Sequence, residues 1–173
     1  GASQGGSDKG KHYQVDLAAS VLEIAGAEVP ESWDGVSFAN SIKDGTGQED
    51  GTSGRDSLVL SAAAWTVQRS LRWENWLYMN TRHDGYHCFP EEMLFNLDTD
   101  PHLLNDLAET EPQIAASAAK QLANWKEEML SLSIHDVDPH DIVLKEGGPF
   151  HIWGQLPAYI ERLRATGREP IAK

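Results

Sequence analysis

The side chains with the greatest chemical capacity lie in one stretch, Arg82-His83-Asp84-Gly85-Tyr86-His87-Cys88-Phe89-Pro90-Glu91-Glu92. Two histidines four apart, with Asp, Cys and Glu alongside, are donor types that zinc accepts. The spacing, however, straddles Asp84-Gly85, a strong two-residue turn signal. No CxxC or HExxH partner stands elsewhere in the chain, so a complete ligand set is not spelled out. Surface or structural histidine is the simpler reading. Contact with a substrate anion is the functional reading we favour over metal ligation.

A second candidate is Gly147-Gly148-Pro149-Phe150-His151-Ile152-Trp153-Gly154. It has the composition to offer backbone N–H groups and His151 to an anion. The simpler account is a loop in which Phe150 and Trp153 anchor a core edge. His135 and His140 flank the end of a long helical pattern, where a cation is welcome, and capping accounts for them. Cys88 is the single cysteine, so no internal disulfide forms. It reads as a small, half-buried hydrophobe. The chain has no G-x-S-x-G elbow, no phosphate-binding G-x-x-x-x-G-K-[ST] loop and no G-x-G-x-x-G fingerprint.

The elements that position these residues come from pattern and punctuation. Asp16 is placed to cap a helix from Leu17 to about Ala25, with Leu17, Val21 and Ile24 on one face and Gly26 as its stop. A turn-rich connector follows, with Trp33 and Phe38 as anchors, and residues 43–56 read as a loop. Short strands are expected at Ser57–Ala62, Trp65–Leu71, Trp76–Thr81 and Met93–Leu97. Pro101 forces the chain out of the sheet after the last of these. Pro112 then opens a long helix whose stripe is Ile114, Ala118, Leu122, Trp125, Met129 and Leu132. A short helix from about Pro157 to Ala165, stopped by Gly167, ends the pattern. Tight connections between short strands indicate an antiparallel sheet, and the long stripe needs that sheet as its partner. The fold class is therefore α+β.

At 173 residues and 40% hydrophobic content the chain supports a real core. Acidic residues number 27 against 14 basic ones, a net charge of -13. That argues against nucleic acid or an anionic membrane as partner, since phosphate binding needs clustered Lys and Arg. No apolar run approaches the ~18 residues of a spanning helix. The opening Gly1-Ala2-Ser3-Gln4-Gly5-Gly6-Ser7 reads as a loop or the edge of a longer polypeptide, not a natural start.

Four segments carry a resemblance to a known family. Residues 16–38, "DLAASVLEIAG-x-x-VPESWDG-x-SF", resemble the sulfatase pattern "DL-x-PT-x-L-x-x-AG-x-x-x-P-x-x-x-DG-x-S", with Ala19 and Ser20 in place of the usual Pro and Thr. Residues 65–79 resemble that family's "R-x-x-R-T-x-x-x-KYI" strand pair, with Arg69 and Arg72 keeping its basic character. Residues 92–108 resemble its "LYDL-x-x-DP-x-E-x-x-NLA" segment near the C-terminus. The tail, "GGPFH-x-x-G-x-LPAYIERLRATGR", is similar to the ending of a bacterial subgroup.

The resemblance implies a particular organisation. Residues 1–45 would be the tail end of a catalytic α/β domain related to alkaline phosphatase. Residues 46–173 would be the C-terminal subdomain, a four-stranded antiparallel sheet packed on a long helix, with an N-terminal helix before it and a short terminal helix after. Sulfate-ester hydrolysis in this family uses a formylglycine nucleophile, matured from a C/S-x-P-S/A-x-R motif, and a divalent metal, normally calcium. Cys88 with Pro90 matches two letters, but Glu91 and Met93 do not fit, and the motif belongs far upstream. No catalytic residue, metal ligand or cofactor is therefore expected in this chain, which alone should be inactive. Its expected partners are the upstream domain and a sulfate ester. Arg82, His83, His87 and His151 are the candidates to face substrate, Arg82 through its planar fork. The other readings are a stand-alone interaction module, a fragment of a phosphonate or phosphate monoester hydrolase of the same superfamily, and a small metalloenzyme.

Overall fold

A computed structural model describes residues 8–43 and 54–167. The expected loop at 43–56 lies mostly outside the described residues, as does the start of the lead before His12. The chain divides into two compact units, Gly1–Leu58 and Val59–Lys173.

The first unit holds α1 (Gln14–Ile24) and α2 (Ala39–Lys43). Asp16 does not cap α1 from outside, as its position suggested. Tyr13 is the N-cap, and Asp16 sits in the first turn with its carboxylate accepting the Tyr13 N–H at 2.7 Å. The same carboxylate accepts the Val36 amide at 2.7 Å and two donors of Arg55 at 2.7 and 3.1 Å. Burial would raise this carboxyl, but Arg55 and the two amides outweigh it and hold the pKa at about 2. Ser20 ties the other end of the connector by accepting the Phe38 amide at 2.9 Å. The buried face of α1 is thus Asp16, Ala19 and Ser20, while Leu17, Val21 and Ile24 are about half exposed. Trp33 is 45% exposed, whereas Phe38 packs on the His12 ring.

The second unit is built on a four-stranded sheet in the order β1 (Ser57–Ala62), β2 (Val67–Trp73), β3 (Trp76–His83), β4 (Glu92–Asn96). β2–β3 and β3–β4 are antiparallel. The strand order follows the sequence order, as tight connections require. Trp65, expected inside the second strand, lies before it and is exposed. A register irregularity between Val67 and Gln68 marks the strand's start.

The long helix, α3 (Pro112–Leu132), lies on β2, β3 and β4. Ala115, Ala118 and Leu122 enter a core with Val59, Leu71, Tyr78 and Leu94. Ile114 and Trp125 flank it, but Met129 and Leu132 extend beyond the sheet and are exposed. Sheet and helix together confirm the α+β expectation. Asp100 shapes the exit from β4 by accepting the amides of Leu104 and Asn105 at 2.7 and 2.8 Å.

After α3 the chain forms a helix that the sequence pattern does not announce, α4 (Pro139–Lys145). Asp138 caps it by accepting the His140 amide, and Pro139 takes the first position. A 3-10 turn (Phe150–Ile152) and α5 (Leu156–Ala165) complete the described fold.

Candidate functional site

The segment between β3 and β4 folds as a compact turn held by one side chain. Asp84 accepts the amides of Tyr86 at 3.0 Å and Cys88 at 2.8 Å. The turn places Gly85, Tyr86 and Cys88 at φ of 60°, 65° and 61°. For Tyr and Cys this left-handed backbone costs about 1–3 kcal/mol each. Strain of this kind persists only where surrounding contacts fix it. Tyr86 stacks on Tyr159 of α5 at 4.8 Å, and the Cys88 thiol lies 3.1 Å from the Tyr159 hydroxyl. Cys88 is exposed, not the half-buried hydrophobe its neighbours suggested.

The turn meets the 147–154 loop. The β2 approach supplies a third side: Trp65 and His151 rings are 4.7 Å apart, and His151 Nδ1 lies 3.0 Å from the Ala64 carbonyl. A carbonyl only accepts, so Nδ1 carries the proton. Nε2 of His151 is then a lone-pair acceptor in the neutral ring, shielded and with no protein partner. The His87 ring lies parallel to that of His151 at 6.1 Å and tilts against Phe89 at 5.9 Å.

His83 reaches the same loop from the end of β3. The Gly85 amide donates to its Nδ1 at 3.0 Å, which assigns the neutral ring's proton to Nε2. That nitrogen faces Gly148, where an added Cβ would fall 2.9 Å from it. Glycine is what lets the ring lie flat on the loop.

Three of the four substrate-facing candidates, His83, His87 and His151, are therefore brought to one place. Arg82 is not: it pairs with Asp141 of α4 at 2.5 Å. The loop's amides are also committed. Gly147 N–H and Gly148 N–H donate to Leu144 and Val143, closing the end of α4, so they are not offered to an anion. Phe150 and Trp153 are exposed, and the buried anchors are Pro149 and Ile152.

The cluster holds an Nε2–H donor on His83, a shielded acceptor on His151 and the exposed faces of Trp65 and Phe89. The Cys88 thiol has the Tyr159 phenol as its hydrogen-bonding neighbour among the described residues. Among the described residues no group of three His, Cys, Asp or Glu side chains is disposed to hold a metal ion. Nor do the described residues gather the carboxylate oxygens that calcium takes. No described helix is long and apolar enough to cross a membrane.

Sequence reasoning missed the other charged constellation. Arg69 of β2 forks onto Asp138 at 2.8 and 2.9 Å, with Lys126 3.3 Å from the same carboxylate. Arg69 itself holds Asp138 well below the usual carboxylate range, against the opposing effect of burial. His140, read as a cap for the preceding helix, lies in the first turn of the next one, buried, with neither ring nitrogen partnered. Burial first, then the Arg69 charge, pushes its pKa below the ordinary value.

No protein-family model matches the chain, and no curated protein matches it. Solved structures do. The chain is similar to YidJ from Bacteroides fragilis, a candidate sulfatase, at 22% identity and a TM-score of 0.49, covering 72% of this chain and 25% of that one. It is similar to a 6S-sulf protein of Bacteroides thetaiotaomicron, from a locus for metabolism of multiple glycosaminoglycans, at 18% identity and 0.47, covering 65% and 24%. It is also similar to a protein solved with its substrate D-glucosamine-2-N,6-O-disulfate, at 18% identity and 0.47, covering 67% and 23%. The chain thus spans about a quarter of the length of the structures it matches.

Proposed function

We propose that this chain is the C-terminal portion of a sulfatase and serves as a packed support for a catalytic centre carried upstream. The observation behind this reading is the order of the three sequence segments at 16–38, 65–79 and 92–108. The antiparallel sheet with its long helix is the arrangement those segments lead one to expect. In the intact protein, formylglycine would supply the nucleophile and calcium would hold the sulfate oxygens, both from residues outside this chain.

The part assigned to this chain is one wall of the substrate cleft. His83 would donate through Nε2–H to a polar oxygen of the leaving group, and His151 would accept through Nε2. His87 packs on His151 and fixes its ring plane. Such contacts set specificity by leaving a site group unpaired when the wrong substrate binds. Arg82 remains with Asp141.

The test uses the longer protein that carries this chain. His87→Ala and His83→Gln should change KM or the ranking of substrates, assayed on aryl sulfates, sulfated sugars and the matching phosphate esters. Unchanged kinetics on every ester would remove the cleft-wall role. Turnover of a sulfate ester by the 173-residue chain alone would remove the support role.

A further inference from the structure

A cleft of about 460 Å³ opens between the end of α3, the α4 segment and β2, away from the His83–His151 cluster. Its volume falls within the ~300–1,000 Å³ of small-molecule sites. Trp125, Met129, Val137 and Ile142 form its apolar walls, and the last three are 37%, 49% and 47% exposed. His140 lines it, is only 3% exposed, and has no protein partner at either ring nitrogen. We propose that this cleft binds a small neutral molecule of the phenol class, its ring between Trp125, Met129 and Ile142 and its hydroxyl hydrogen-bonded to His140.

Each part of that ligand answers an observation. A buried imidazole without partners is rare in folded proteins, where most buried polar groups are paired. Its neutral ring presents one donor and one acceptor, and a hydroxyl is both. Arg69 and Lys126 are both held by Asp138, and the chain's net charge of -13 disfavours an anionic ligand. An aromatic body suits an indole and a thioether, which favour ring contacts over plain aliphatic ones. Both His140 nitrogens are buried in the free chain, so the proposed hydrogen bond requires the lining side chains to move aside. The inference rests on this unit's own geometry and does not depend on the sulfatase reading.

The test titrates phenol, toluene, cyclohexanol and benzoate into the 173-residue chain. The His140 imidazole nitrogens and the Trp125 indole N–H are followed by NMR. Phenol should move both signals and bind about fivefold tighter than toluene, the value of one ordinary hydrogen bond. Benzoate should bind more weakly than phenol. In His140→Phe the phenol-over-toluene preference should vanish while toluene still binds, and Ile142→Trp should abolish both by filling the cleft. The proposal is overturned if phenol leaves the His140 nitrogens of the unaltered chain unshifted, a readout that needs no variant to fold. It is equally overturned if His140→Phe keeps the preference, or if cyclohexanol or benzoate binds as tightly as phenol.

Discussion

Arg69 and Asp138, 69 positions apart, face each other through two parallel hydrogen bonds of 2.8 and 2.9 Å. Their side chains are 10% and 2% exposed, so the pair is a buried clamp between β2 and the start of α4. Asp138 does a second job there as the N-cap of α4. Removing Asp138 leaves the Arg69 charge buried and uncompensated, which typically costs about 3–5 kcal/mol. Asp138→Ala should lose that amount in urea denaturation. Asp138→Asn keeps the capping oxygen and should lose about 1 kcal/mol less. Arg69→Met in the Asp138→Asn background should recover most of the loss. A double variant no more stable than Asp138→Asn would show that the pair contributes nothing beyond its cap.

The same corner should make stability fall with acid in two stages. His140 has a folded pKa below its unfolded value, so between the two the unfolded chain binds more protons and stability rises with pH. Its contribution is complete above about pH 6.5, the ordinary histidine value, and is lost as pH drops through the folded value. Asp138, also depressed, adds stability that is complete above about pH 3.9 and is lost on further acidification. His140→Phe should therefore flatten only the upper stage. Urea midpoints measured from pH 7.5 downward in both proteins check this, and parallel curves would show that His140 is not buried neutral.

The four strands and α3 were legible because period and punctuation reinforce one another. Pro101, Pro112 and the spacing from Ile114 to Trp125 each have one local meaning. α4 was hidden because Asp138-Pro139 reads equally well as a stop and as a cap with its first residue. Asp16 misled in a related way: an acid at a helix start suggests an N-cap, but its burial is decided by Arg55, 39 positions on. At the candidate site each half was visible in sequence, the His83–His87 turn and the His151 loop. Their meeting was not, since it depends on how α4 returns the chain to β3. Arg82 was misplaced for the same reason, its partner Asp141 lying on the unforeseen helix.

The close approach of His83 to the 147–154 loop should be visible in glycine substitutions. Gly154→Ala meets nothing within 4 Å and carries only the penalty of its φ of 70°, about 1–2 kcal/mol. Gly148→Ala adds a Cβ 2.9 Å from the His83 ring, so it should cost more and shift the His83 ring signals in NMR. Gly85→Ala would place a Cβ 1.9 Å from the Trp65 carbonyl oxygen, a backbone atom that cannot swing aside. It should be the most damaging of the three. Equal melting temperatures for Gly148→Ala and Gly154→Ala would mean the ring does not rest on the loop.

The stripe of α3 predicts where docking on the sheet ends. Leu122 is 7% exposed and lies in the cluster with Leu71, Tyr78 and Leu94. Leu132 belongs to the same helical pattern but is 73% exposed. Truncating a buried leucine removes its transfer energy and leaves a cavity, together about 2–5 kcal/mol. Leu122→Ala should show that loss, and Leu122→Asp should abolish the cooperative transition by driving a carboxylate into the core. Leu132→Ala should stay within about 0.5 kcal/mol of the unaltered chain. Chemical denaturation of the three variants checks the ranking. A soluble, cooperatively melting Leu122→Asp would mean that the sheet does not depend on α3 to cover it.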